Sequence, residues 1–487
     1  MDCRTTTGPQ PDTYTILNAV RREVAFTLMP ELSSDRARTI ATFIDEVLRH
    51  LMTRSTIMPE LLHRKTAELC DVLSALGGTV DPCPRAESSE QLADLDTALS
   101  HALEPLIAQR ASAACATTGE LSDSICNRAI AAELACIQAE TGHEAAQQHR
   151  VFADPERYAV TAEKVERYLA RAWPDREALR VTHCVRVLGG FSKDTYLVEC
   201  SWRGGQQGLA IRRDNPYGSV DSTAAGEFSM LRDLTRLGMP VPPPLLLEED
   251  STTLGFPFFV SRKMPGAPVP NTVSMQVGAA QREAACGLAR VLAQLHSLDV
   301  DRLEPQSALR IDVAPSGYFE YSIDRLERAW QAHQLTPSPT ITSAFAWMRA
   351  HVPTFEGHLR LVHGDAGLHN LLMNGAEIGA MLDWEFAHLG EPVEDLVYAR
   401  MWIDQIMPWA EFLQHYHEHG GPKFSDLHAD FYSVFYSVRH VMNTSKGMKG
   451  FIASPQPELN CLVGGLRYGR HFLGEVARAI TRPPEQP

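Results

Sequence analysis

Long apolar runs are missing from this chain. No stretch approaches the roughly 20 consecutive apolar residues of a membrane-spanning helix, so no membrane role is expected. Met1-Asp2-Cys3-Arg4-Thr5 is followed by no apolar core of a secretory signal, and a cytoplasmic location is expected. The ten cysteines show neither CxxC nor CxxH spacing. A zinc site is therefore not expected, and reduced, mostly buried thiols fit the same compartment. No long basic stripe interrupts a formal net charge of −15, which argues against a nucleic-acid partner. Internal repeats and low-complexity tracts are also lacking. What remains, with 44% hydrophobic and 22% charged residues, is the composition of a globular protein. Its 487 residues exceed one ordinary core, so two or three domains are expected.

Residues 1–150 read as an all-α helical bundle. Ile40, Phe43, Ile44, Val47, Leu48 and Leu51 form a stripe with a period of 3.6. Ile16, Leu17, Val20, Val24 and Leu28 make another, and Leu69, Val72, Leu73 and Leu76 a third, stopped by Gly77-Gly78. Leu92 to Leu106 and Ile130, Leu134 and Ile137 add two more. A polar stretch over 147–155 reads as a linker. Beyond it a helix is expected over 162–172, then β-rich runs at 181–187, 194–200 and 208–212, a helix from about 224, and a strand within 254–264. From about 279 helical patterns dominate. The second domain is drawn as 156–487 and is expected to fold when the chain begins near residue 155.

The most informative stretch is His363-Gly364-Asp365-Ala366-Gly367-Leu368-His369-Asn370, followed by an apolar run and Met381-Leu382-Asp383-Trp384-Glu385. Asp365 and Asn370 lie five residues apart around a glycine, which suits one tight loop. Asp383 comes thirteen residues after Asn370, the length of a short hairpin. An Asp and an Asn alone are most simply turn caps. An acid, an amide and a second acid brought together are also what phosphoryl transfer needs, one acid for the attacking hydroxyl and the other two groups for magnesium.

Taken whole, the string resembles the catalytic segment of the aminoglycoside phosphotransferase (APH) family. The resemblance implies an α+β, protein-kinase-like two-lobed fold after the bundle, with a β-rich small lobe at about 180–265 and a helical large lobe at about 266–487. It implies Asp365 as catalytic base, Asn370 and Asp383 as Mg2+ ligands and ATP as donor. His363 and Trp384 are expected to pack the two loops, and Asp395 to bond backbone near the catalytic loop.

Gly189, Gly190, Phe191 and Ser192 lie between two expected strands, where glycines let backbone N–H groups approach phosphates. Alone, Gly-Gly marks an ordinary hairpin. Ser192 and Lys193 are within possible reach of phosphate oxygens. By resemblance Arg212 is the basic residue of the third strand, and Glu227 its partner, unless Glu227 is only a helix-start acid. An Arg where many kinases use Lys is a different donor. Ser261 and Lys263 sit on the strand and hinge against which adenine would stack.

Motifs for the chemistry do not encode the acceptor. The chain looks most like a branch with hydroxyacyl-CoA kinases and the kinase portions of acyl-CoA dehydrogenase fusions. That resemblance implies a small-molecule alcohol as acceptor, first a hydroxyacyl-CoA such as a 4-hydroxyacyl-CoA. Arg439, Lys446 and Lys449 offer cations for such a CoA thioester, or form a solvated basic face. An aminoglycoside or other antibiotic phosphotransferase and a non-catalytic pseudokinase scaffold are the alternatives. A homo-oligomer is left open.

Overall fold

Apolar side chains spaced three and four apart fold as helices in both halves of the chain, and alternating ones build the sheets between them. The computed structural model describes residues 35–78, 89–118, 123–145, 160–187, 192–215, 217–220, 222–269, 278–303, 315–354, 358–423, 428–453 and 459–481, with scattered positions between 17 and 32. Most of the stripe expected over 16–28, and the linker over 147–155, lie outside the described residues. In chain order come helices α1 (Asp35–Thr56), α2 (Met58–Ala75), α3 (Ser89–Thr118), α4 (Ser124–Ala145) and α5 (Ala162–Ala172). Strands β1 (Arg180–Val187), β2 (Lys193–Trp202) and β3 (Gly205–Asp214) lead to α6 (Ala224–Arg236), β4 (Pro244–Glu248), β5 (Phe258–Arg262) and β6 (Ala267–Pro268). Next are α7 (Ala279–His296), α8 (Tyr318–His333), α9 (Pro339–Ala350), β7 (Arg360–Val362), β8 (Leu371–Asn374), β9 (Glu377–Met381) and β10 (His388–Gly390). The described chain closes with α10 (Val393–Ile403), α11 (Trp409–Glu418), α12 (Ala429–Ala453), α13 (Leu459–Gly464) and α14 (Arg470–Ile480).

These elements form two compact units, one of residues 1–155, 329–351 and 440–487, the other of 156–328 and 352–439. In the helical unit, α9 lies against α3, α4 and α14, and α13 against α1. Leu99, Leu103 and Ile107 of α3 and Ile130 of α4 are fully buried there, as are Ile341 and Met348 of α9. Glu133 of α4 accepts hydrogen bonds at Oε2 from Ser338 Oγ (2.9 Å), Thr340 N (3.1 Å) and Thr340 Oγ1 (2.6 Å). The carboxylate satisfies one open N–H group at the start of α9, that of Thr340, and meets the positive end of its dipole.

The sequence suggested one continuous domain over 156–487. Segments 329–351 and 440–487 cluster with the N-terminal helices instead. The physical reason is visible in α9, where residues around most of the helix are buried, from Pro339 and Ile341 to Phe345, Trp347 and Met348. A helix apolar nearly all round needs neighbours on several sides.

In the other unit, five antiparallel strands are ordered β1-β2-β3-β5-β4. The helix expected at 162–172 is α5, and it shares a core with the sheet, with Val165 and Leu169 against Val198, Leu209 and Val260. No strand was expected at β4, where Pro242, Pro243 and Pro244 precede three leucines. Proline is tolerated there because β4 is the sheet edge.

A second core surrounds α7, whose Ala285, Leu288 and Leu292 are packed with Leu371, Met381 and Trp384. It supports two small sheets, β7–β10 and β6–β8–β9. The segment 363–370 runs from β7 to β8, and the segment 382–387 from β9 to β10, so both loops leave neighbouring strand ends on this core.

Candidate active site

The His-Gly-Asp segment turns sharply at Gly364, which has φ +77°. A Cβ there would lie 2.6 Å from the carbonyl oxygen of Phe386, so the glycine also permits close approach of the second loop. The N–H groups of His363 and Gly364 both donate to the buried Asp395 carboxylate, each at 2.7 Å. Asp395 thus bonds catalytic-loop backbone, as expected. Its Oδ2 also takes His296 Nε2 at 3.1 Å, while His296 Nδ1 accepts from Tyr416 at 2.8 Å. His363 joins the loops: its Nδ1 accepts from Asp365 N (3.2 Å) and its Nε2 donates to Leu382 O (2.8 Å). Its ring packs 4.6 Å from that of Trp384.

Asp365 and Asn370 meet. The Asn370 amide donates to the Asp365 backbone oxygen (2.9 Å) and to its Oδ2 (2.8 Å). Leu382 N donates to Asn370 O at 2.8 Å, which sets the residue before Asp383 beside the catalytic loop. His369 Nε2 is 3.6 Å from Asp365 Oδ2. Burial would lower the His369 pKa, but the neighbouring Asp365 and Asp383 carboxylates raise it.

Asp383 adopts a left-handed backbone, with φ +57° and ψ +59°. Asp and Asn enter that region more readily than most residues. Its Oδ1 is 2.5 Å from Arg212 Nη1. The Arg212 guanidinium also faces Glu227 Oε1 at 2.9 Å and Glu385 Oε2 at 3.6 Å. The structure therefore brings together Arg212, Glu227 and Asp383. Burial raises the Glu227 carboxyl against the opposing pull of Arg212. Burial, helped by Asp383, pushes Glu385 up to about 7.

Three carboxylates surround one guanidinium, and the side chain of Asp383 is the exposed one at 40%, against 2% for Glu227 and 9% for Glu385. That surplus of negative charge suits a dication. Asn370, whose amide nitrogen is spent on Asp365, and Asp383 offer hard oxygens of the kind magnesium takes, with phosphates and water completing its shell. Among the described residues no group of three or more His, Cys, Asp and Glu forms a richer metal cage.

Gly189, Gly190 and Phe191 lie outside the described residues. Ser192 Oγ donates to Glu385 Oε2 at 2.5 Å, which ties the end of that loop to the second motif. Lys193 turns away to Asp214 Oδ1 and Ser222 O, both at 2.7 Å. Ser261 is buried, with its hydroxyl toward Ala210 O at 3.4 Å. The Lys263 side chain passes over Gly208 to Glu199 at 2.5 Å, and its N–H donates to Gly208 O.

The expected cationic trio is also divided. Arg439 is buried, pairs with Glu394 at 2.5 Å and donates to Gly364 O, so it braces the catalytic loop. Lys446 and Lys449 belong to the helical unit, where Lys449 donates to Ala332 O at 2.9 Å. Sequence reading passed over Tyr398, Glu385 and Glu394. Glu385 and Glu394 stood within motif-like runs but were given no role, and nothing local marked Tyr398. Tyr398 is buried, and that burial, together with the negative charge of Asp365, pushes its phenol well up from the ordinary value.

The profile of the phosphotransferase enzyme family (APH) matches residues 183–429, just over half of the chain. Over 329 residues the chain is 26% identical to acyl-CoA dehydrogenase family member 11 of Gallus gallus, covering 64% of this chain and 40% of that protein. Over 252 residues it is 27% identical to acyl-CoA dehydrogenase family member 10 of Mus musculus, covering 50% of this chain and 22% of that one. The chain thus spans well under half the length of these curated relatives. A provisionally assigned aminoglycoside phosphotransferase from Ralstonia eutropha JMP134 superposes with a TM-score of 0.51 at 21% identity, covering 67% of this chain and 99% of that structure. A kinase-like fold, two acids and an amide on two adjoining loops, and a profile match across both lobes lead to one conclusion: the chain belongs to the phosphotransferase enzyme family (APH).

Proposed function

We propose that this phosphotransferase moves the γ-phosphoryl group of ATP to a hydroxyl group of a small molecule, with a hydroxyacyl-CoA as first acceptor. The observation that carries the reading is the pairing of Asp365 with Asn370 beside the Asp383 loop. Asp365, its carboxylate oriented by Asn370, accepts the proton of the acceptor hydroxyl as that oxygen bonds to the γ-phosphorus. The bond from phosphorus to the β–γ bridging oxygen breaks, and ADP leaves with its electron pair. Arg212, held by Glu227, is the protein cation for the phosphates. Magnesium held by Asn370 and Asp383 supplies charge neutralisation on the nucleotide.

For the acceptor, support comes from likeness to two relatives whose names carry acyl-CoA. The buried, paired Arg439 lends none. The test is ADP release from full-length chain with ATP and magnesium, offered 4-hydroxybutyryl-CoA, the free hydroxy acid and an aminoglycoside in parallel. Fastest turnover is expected with the thioester. Faster turnover of the free acid or the antibiotic overturns that acceptor. Nucleotide binding with no release in any arm points to a scaffold. Asp365→Asn should bind ATP normally and lose on the order of 10²-fold in turnover; activity within a few-fold of wild type removes Asp365 from the role.

A further inference from the structure

Each of the two site loops gives up a carbonyl to a side chain that meets the same buried acid. The Gly364 carbonyl, next to Asp365, accepts from Arg439 Nη2, and Arg439 Nη1 pairs with Glu394 Oε1 at 2.5 Å. The Phe386 carbonyl, three residues after Asp383, accepts from His388 Nδ1 at 2.8 Å. The opposite corner of that imidazole, Nε2, lies 3.3 Å from Glu394 Oε2 and 3.1 Å from the Tyr318 hydroxyl. Glu394 is fully buried, so each of its oxygens serves a residue that holds one loop. His388 stands opposite Val362 in the β7–β10 pair, just before the His-Gly-Asp segment. Two residues on, a Cβ at Gly390 would come 3.0 Å from His388 Nε2 and 2.8 Å from the Tyr318 hydroxyl, so that glycine keeps the space in which they meet.

We propose that His388 is a positioning residue for phosphoryl transfer, closing a clamp that runs from Gly364 through Arg439, Glu394 and His388 to Phe386 and sets the Asp383 loop against the Asp365 loop. The inference rests on the reading of Asp365 as base and Asp383 as metal ligand. The start of the second loop is already held, because Leu382 donates to Asn370 O and accepts from His363 Nε2. His388 holds its other end at Phe386, and Asp383 lies between the two anchors. Histidine suits the task, since its ring is rigid and its two nitrogens point apart and carry separate bonds. Glu394 suits it too, since a buried carboxylate loses heavily when a charged partner moves away. The separation of the two loops matters because the base and the charge on the phosphates act on one reacting group. About 1 Å of misplacement can cost about 10²-fold in rate.

Two substitutions open the clamp at different ends. His388→Asn keeps an amide N–H near the place of Nδ1 and deletes the end that faces Glu394, and His388→Gln does the reverse. The control is Tyr318→Phe, which removes the hydroxyl on Nε2 but keeps the ring stacked on His388 and leaves both ends of the clamp in place. Amide hydrogen exchange is measured over residues 382–390 of the full chain without nucleotide or metal. ADP release is measured with ATP and magnesium, with 4-hydroxybutyryl-CoA and with water as acceptor, so that a rate is read in either case. Both His388 variants are expected to exchange faster over 382–390 and to lose about tenfold in kcat with the KM for ATP unchanged. Tyr318→Phe is expected to match wild type in both measurements. Wild-type exchange or wild-type kcat in either His388 variant overturns the proposal, and so does an equal change in Tyr318→Phe, which would mark a packing effect. Wild-type turnover in Asp365→Asn overturns the underlying reading instead.

Discussion

Asp383 shows how much one residue is asked to satisfy. Its left-handed backbone narrows the substitutions that fold, and its exposed carboxylate is the acid left for a cation beside Arg212. Asp383→Asn keeps a side chain that tolerates that backbone and removes one charge. It should cancel most of the magnesium-dependent gain in ATP affinity measured by calorimetry; an unchanged gain would move the metal elsewhere. Glu394 makes a second case. Burial would raise its pKa, but His388 and Arg439 outweigh that and hold it at about 2, below its ordinary 4.5. A carboxyl depressed on folding stabilises above its unfolded value, and that contribution is lost as pH falls from about 4.5 toward 2. Glu394→Gln forfeits that stabilisation and leaves the charge of Arg439 buried without its partner, so it should cost about 3 kcal/mol at neutral pH. Its denaturation midpoint should fall less steeply than that of wild type in this acid window.

At the scale of elements, the sequence was most readable where a pattern is local. The helix at 162–172 matches α5, and Gly77, at φ +79°, follows α2 at the glycine pair expected to stop it. The hairpin spacing between Asn370 and Asp383 became β8 and β9. β4 was unreadable because its prolines are permitted only by its place at the edge of a sheet. Tyr398 was unreadable for a related reason, since only tertiary folding brings α10 onto the catalytic loop. Arg212 and Asp383, 171 residues apart, were each assigned to the nucleotide site only through a likeness to known motifs, and their ion pair was not foreseen. The start of α9 carries an element-scale prediction. Removing the shared acceptor with Glu133→Ala leaves Ser338 and Thr340 donors buried without it. The expected cost is about 1–3 kcal/mol by urea denaturation; no change in midpoint would mean that α9 is held by its apolar contacts alone.

For the molecule as a whole, the sequence showed only helical patterns beyond about residue 279 and not which helices cover which, so ownership of 329–351 and 440–487 escaped it. A chain beginning at residue 156 loses α1 to α4 and bares the faces of α9 and α14 that they cover. That chain should aggregate, with solubility restored by supplying 1–155 as a separate polypeptide; a soluble fragment with a cooperative melt would overturn the division into units. The same interleaving shapes synthesis. The last residue of α4 leaves the ribosome about 190 residues before α9 begins and about 325 before α14 begins. At roughly 5–20 residues per second, those helices wait on the order of 10–60 s for the partners that complete their core. The wait favours chaperones that bind nascent chains, and slower translation would prolong the exposure.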